Sequence, residues 1–168
     1  HYVIEGSEEK IKEQCGCPDG TMILIRDIFY NVPARQKFLK KDVSEGNAVA
    51  SVVGKLALSH PEISFKFIRD NKQGIMTPGD NDLYSAIYAV MGRSFAESLI
   101  PVDYTYGGIR VCGYTVKPLS ASPNRQLQNF FVNNRYIKAV ICTVSLEEAY
   151  RNVIMTGKFP SCVLNIEI

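Results

Sequence analysis

No window of the 168-residue sequence approaches the ~18 consecutive uncharged apolar residues that a membrane-spanning helix needs. It does not open with the basic-then-apolar pattern of a secretory signal. It has no GxxxxGK phosphate loop and no GxGxxG turn, so two common self-contained phosphate cradles are excluded. His1 and His60 have no plausible nucleophile or metal-ligand partner at short spacing. Between Asp103 and Glu147 there is no carboxylate at all, which leaves a metal-dependent nuclease site little to build from. No catalytic residue and no metal-ligand set emerges.

The five cysteines cannot all pair with one another. Cys15 and Cys17 form a Cys-Gly-Cys step, while Cys112, Cys142 and Cys162 stand alone in apolar surroundings. A zinc site wants two Cys/His pairs at short spacing, and only one tight pair exists. Reduced thiols in a cytosolic protein are the expected state, with metal binding by Cys15 and Cys17 the weaker alternative. Hydrophobic residues make up 46% and charged residues 21%, an ordinary globular composition that excludes a disordered tail, a collagen-like fibre and a disulfide miniprotein. A chain this long can bury roughly 70% of its unfolded surface.

The net charge of +2 implies no partner, but its distribution does. Residues 1–20 are acidic, and residues 35–41 hold Arg35, Lys37, Lys40 and Lys41 without an acid. The carboxylate-free stretch contains Arg110, Lys117, Arg125, Arg135 and Lys138, interleaved with Tyr104, Tyr106, Tyr114, Phe130, Phe131 and Tyr136. Uncompensated basic charge attracts a phosphate backbone and releases its counterions on binding. The plain alternative is a modest basic face with the aromatics in the core.

Local patterns predict the elements. Tyr2–Glu5 reads as the tail of a strand, followed by a polar loop to Asp19. Thr21–Ile28 is rich in aliphatic and β-branched residues and reads as a strand, broken at Asn31-Val32-Pro33. Pro33 suits the first position of a short helix to Lys40. A longer helix starts at Ser44, with an apolar stripe through Val49, Val52, Val53 and Leu56, and stops at Pro61. Ile63–Phe67 alternates as a strand, turning at residues 71–74 into Ile75–Thr77. Asp80 to Asp82 offer caps for a helix ending near Gly92. Gly107-Gly108 joins Ile100–Tyr106 to Ile109–Val116 as a hairpin. Leu127–Val132 reads as a buried strand, Ile137 to about Met155 as a helix and Cys162–Ile168 as a last strand. Hairpins lying between helices argue for an α+β layer fold rather than a doubly wound parallel sheet.

Two segments are more specific than composition. Gly20-Thr21, an aliphatic run, and then Phe29-Tyr30-Asn31-Val32-Pro33-Ala34-Arg35-Gln36-Lys37-Phe38-Leu39 resemble the GT…LFYNxPARxKFL signature of the MutL family of DNA mismatch-repair proteins. Phe131-Val132-Asn133-Asn134-Arg135 is similar to that family's FVNxR segment, and the resemblance extends over essentially the whole chain. One departure is Asn134, where family chains commonly carry Gly; Asn tolerates left-handed backbone angles, so the turn should survive.

The resemblance implies a middle fragment of a longer protein. Residues 1–40 would be the last strands of a GHKL-type ATPase domain and its junction, where Arg35 would pair with acids or extend the basic surface. Residues 41–168 would be a transducer of ribosomal S5 domain 2-like fold, a mixed sheet with helices packed on one face. It further implies that Gly20 and Thr21 match a position at the adenine end of the nucleotide site. Arg135, with Lys138, would line a positively charged groove that contacts the backbone of duplex DNA. ATP and Mg2+ would be cofactors of the parent protein and not of this piece, whose remaining ATP machinery would lie outside residues 1–168. The implied partners are DNA, the mismatch-recognition protein MutS and a second copy in the parent homodimer, in the bacterial cytoplasm at the nucleoid and without a membrane. An RNA-binding module of S5-like fold is the alternative, but it leaves the NVPARxKF run unexplained.

Phosphoryl transfer needs several positioned charges acting together, and Thr21 alone cannot supply them. The purified chain is therefore expected to release no phosphate from ATP above background. Stoichiometric or faster release in a phosphate-detection assay would overturn that expectation.

Overall fold

The computed structural model describes all residues from His1 to Ile168. They form two compact units, His1–Glu45 and Gly46–Ile168. In the first, β1 (Tyr2–Glu5) and β2 (Glu8–Lys12) pair antiparallel across Gly6-Ser7, both left-handed at φ 57° and 74°. The acidic segment expected to be loop thus supplies a strand. Thr21–Ile28, in contrast, forms no strand: it has no ladder partner, and Met22 is 94% exposed. An aliphatic run reports a preference for β geometry, but a strand also requires a neighbour to bond its backbone N–H and C=O groups. Helix α1 (Pro33–Gln36) starts on Pro33 as expected and stops short of Lys40.

Helix α2 (Asp42–Ser59) begins two residues before Ser44, with Asp42 and Glu45 in its first turn, where carboxylates suit the helix dipole. Next come β3 (Lys66–Arg69) and β4 (Lys72–Met76), joined through left-handed Asp70 and Asn71. The Asp82 carboxylate accepts from the backbone N–H groups of Tyr84 (3.0 Å) and Ser85 (3.3 Å), capping α3 (Leu83–Met91), and Gly92 at φ 87° ends it. The short α4 (Arg93–Ala96) leads into β5 (Leu99–Tyr106) and β6 (Ile109–Val116). The remaining elements are β7 (Gln128–Val132), β8 (Arg135–Ile137), α5 (Val140–Tyr150) and β9 (Cys162–Glu167).

The expected α+β class holds. Five strands form one mixed sheet in the order β5-β6-β9-β7-β8, with β9 parallel to β7 and every other pair antiparallel. The helices, expected on one face, cover both. On one side Phe131 and Val163 pack with Leu58 of α2 and Ile87 of α3. On the other, Phe130, Cys162 and Leu164 pack with Cys142 and Leu146 of α5. Consecutive Phe130 and Phe131 point to opposite faces, so β7 is buried on both sides and needs a helix layer over each. Gly113 of β6 sits at φ 127°, and a Cβ there would collide with the Val163 carbonyl oxygen of β9. None of the helices is long and apolar enough to cross a membrane.

Phe131 is 2% exposed, whereas Val140 on α5 is 79% exposed. Phe131→Ala is expected to cost about 3–5 kcal/mol of unfolding free energy, and Val140→Ala about 0.5 kcal/mol or less. Urea titrations of the two variants check this; equal midpoints would contradict the assignment of the core.

Candidate nucleic-acid interface

The structure sorts the five basic residues of the carboxylate-free stretch by what they touch. Arg110 on β6 is held by two acids: its Nε and Nη2 donate to Asp103 of β5 at 2.9 and 2.8 Å, and its Nη1 donates to Glu167 of β9 at 3.2 Å. The Arg110 guanidinium in turn holds the Asp103 carboxyl below its ordinary range. Arg125 forms a fork with Glu147 of α5, at 2.6 and 3.0 Å, and lies 4.0 Å from the centre of the Phe159 ring. Lys117 donates to the Glu97 carbonyl oxygen at 3.2 Å. Arg135 and Lys138 are exposed, and neither side chain has a hydrogen-bond or ion-pair partner. The expected uncompensated stretch is therefore reduced to one corner, because Glu147 and Glu167 reach back across 22 and 57 residues. No short window of sequence carries that pairing.

Arg135 opens β8, the outer strand of the sheet. The turn before it, Asn133-Asn134, is left-handed at both positions, φ 44° and 64°, as a two-residue β-hairpin requires. The turn expected at Asn134 is thus that of a hairpin, and the helix expected from Ile137 starts at Val140. Each Asn also bonds to the chain end. The Asn133 amide donates to the Ile168 carbonyl at 3.2 Å and accepts its N–H at 3.1 Å. Asn165 of β9 accepts the Asn134 N–H at 3.1 Å and donates to its side-chain oxygen at 2.9 Å. Next to Arg135, Tyr136 meets Phe131 edge-on at 5.9 Å, while the Lys55 ammonium of α2 lies 4.1 Å over its ring. Ala139, the residue after Lys138, provides no side-chain cap for α5, so the first amides of that helix have no capping side chain.

Gly20 and Thr21 lie in the first unit, both exposed, with Gly20 at φ 128° and open space where a Cβ would be. Together they offer one hydroxyl and backbone amides. Nowhere do three or more His, Cys, Asp or Glu side chains gather to hold a metal ion. These residues alone do not fit a complete ATP·Mg2+ site, and no hydrolytic step is derived from them. Two surface concavities, one between α5 and residues 154–159 and one between α3, α4 and Leu127, include none of the four residues named from the sequence. All five cysteines are free; burial pushes the Cys162 thiol up to about 12, while Cys15 and Cys17 are exposed.

The chain thus presents a mixed five-stranded sheet, with helices on both faces and an exposed arginine on one of its two edge strands. Residues 87–168 match the family model described as the C-terminal domain of DNA mismatch repair protein. The DNA mismatch repair protein MutL of Agathobacter rectalis is 44% identical over 163 residues, covering 97% of this chain and 25% of the relative. That of Symbiobacterium thermophilum is 40% identical over 164 residues, 98% of this chain and 26% of the relative. The solved Aquifex aeolicus MutL ATPase domain complexed with ADP superposes with a TM-score of 0.61 at 25% identity, over 86% of this chain and 51% of that one. The chain belongs to the MutL family of DNA mismatch-repair proteins, and it spans about a quarter of the length of these curated relatives.

The Arg125 fork holds the Glu147 carboxyl below its ordinary range, so the pair favours folding above the unfolded carboxylate pKa and loses that contribution as pH falls through the lowered value. In Arg125→Ala, the Glu147 carboxyl carbon should titrate at higher pH by NMR, and the stability gap to the wild type should close at acid pH. An unmoved Glu147 titration would show that the fork does not form in solution.

Proposed function

We propose that this chain serves a MutL-type mismatch-repair ATPase as the end of its GHKL domain and its transducer. In that role it relays the nucleotide state to a DNA-contacting surface. The observation that carries the DNA contact is the pair Arg135 and Lys138, left without partners while the neighbouring cations are compensated. A guanidinium on the outer strand binds phosphate through two N–H groups, and the uncapped start of α5 adds partial positive charge nearby. Contacts of this kind read the backbone and not the base sequence. Gly20 and Thr21 serve the adenine end of the nucleotide site in the whole protein, where ATP and Mg2+ are bound with residues outside this chain. The ADP named for the Aquifex aeolicus ATPase domain supports this placement. MutS and a second copy of the protein are its partners during repair, in the bacterial cytoplasm.

Duplex affinity should be weak and steeply salt-dependent, because ion release dominates it. Fluorescence anisotropy with a labelled duplex at two salt concentrations tests the reading. Arg135→Glu should weaken binding by about tenfold and flatten the salt dependence, and Arg125→Ala should change it little. Unchanged affinity in Arg135→Glu would sink the assignment.

A further inference from the structure

Strand register places one line of side chains across the sheet: Tyr104 of β5, Val111 of β6, Ile166 of β9, Val132 of β7 and Arg135 of β8. Val111 packs into the cluster under α5, which fixes this line on the α5 face. The line is left partly open: Tyr104 is 67% exposed, and Tyr106, two residues along the same face of β5, is 78% exposed. Neither tyrosine has a side-chain partner. A core role does not explain two outward aromatics beside the Gly107-Gly108 turn, because both rings stand in solvent.

Charge separates the two faces. The acids of the five strands are Asp103 and Glu167, and both turn to the opposite face to hold Arg110. The strand positions on the α5 face carry no carboxylate, and Arg135 stands at the far end of the line. Four inter-strand steps set Tyr104 about 19 Å from Arg135, the span of about six stacked nucleotides at ~3.4 Å each. Aromatic rings at one end of an apolar strip, with an unpaired guanidinium at the other, fit unpaired bases and their phosphates. A duplex keeps its bases stacked on one another and offers these rings nothing to stack on.

We infer that Tyr104 and Tyr106 form a stacking platform for single-stranded DNA whose backbone runs across the sheet to Arg135. The inference rests on the DNA-binding reading above and adds the strand state that this face selects. Stacking depends on the ring and not on the hydroxyl, so phenylalanine should replace either tyrosine.

The test compares a fluorescein-labelled oligo-dT with a labelled duplex of similar length, by anisotropy, for wild type and for Tyr104→Ala, Tyr106→Ala and the corresponding Phe variants. Both tyrosines are exposed, so the variants should keep the wild-type thermal melt. Each Ala variant should weaken single-strand binding by about fivefold or more, leave duplex binding within about twofold and leave the salt slope unchanged. The Phe variants should bind as wild type. Unchanged oligo-dT binding in the Ala variants overturns the inference, and so does an equal loss for strand and duplex or a Phe variant as weak as the Ala variant. If only the duplex contact of Arg135 is wrong, Arg135→Glu leaves duplex binding intact, while that variant and the tyrosine variants all lose the single strand.

Discussion

The pairing of β9 on both of its sides is the constraint on which the rest of this sheet depends. The last strand of the chain lies at its centre, antiparallel to β6 and parallel to β7. Without it, β5-β6 and β7-β8 are two separate hairpins, and a two-stranded hairpin is marginal in water. β9 also supplies Val163 to one core and Cys162 and Leu164 to the other, so its insertion closes both layers at once. The close approach at Gly113 belongs to the same junction, since a side chain there would push β6 away from Val163. Two further bonds tie α5 to that junction. The buried Tyr150 hydroxyl donates to the Val116 carbonyl at 2.5 Å and shares a hydrogen bond with the Thr115 hydroxyl at 2.8 Å.

Elements whose signals are local were legible in the sequence. The Asp82 cap and Gly92 stop bound α3 where the pattern predicts, and Gly107-Gly108 makes the hairpin its chemistry demands. Elements decided by distant partners were not. Thr21–Ile28 has the composition of a strand, yet it finds no ladder. Ile137 reads as the start of a helix because apolar residues continue beyond it, yet β7 captures Arg135–Ile137 as β8. The family was readable from the two motifs, and the proposed DNA contact of Arg135 rests on its place in the second. The tyrosine face was not readable, because it exists only once register brings Tyr104 and Arg135 into one line.

Charge shows the same division between local and distant. Surface ion pairs contribute little to stability, with a median of about 0–1 kcal/mol, so Arg110 and Arg125 are not paired chiefly to hold the fold. Their pairing instead shapes the field. Arg110 draws Asp103 and Glu167 to one face, and Arg125 occupies Glu147 beside α5. Within residues 104–146, the basic side chains left without a partner are those of Arg135 and Lys138.

Holding Arg135 in place has a backbone cost of its own. Asn133 and Asn134 both occupy left-handed angles, which side chains other than glycine seldom adopt. Four hydrogen bonds to Asn165 and Ile168 offset that cost and stitch the turn to β9. Asn134 takes part in two of those contacts, one through its backbone N–H and one through its side-chain oxygen, and a glycine would keep only the first. The consequence is preorganisation. An arginine on a loose loop loses backbone as well as side-chain freedom when it grips a phosphate, and the surplus affinity shrinks by that amount. On β8 the backbone is already ordered, so binding restricts only the Arg135 side chain. The asparagine turn thus connects the strand that closes the sheet to Arg135, the cation that we propose contacts DNA.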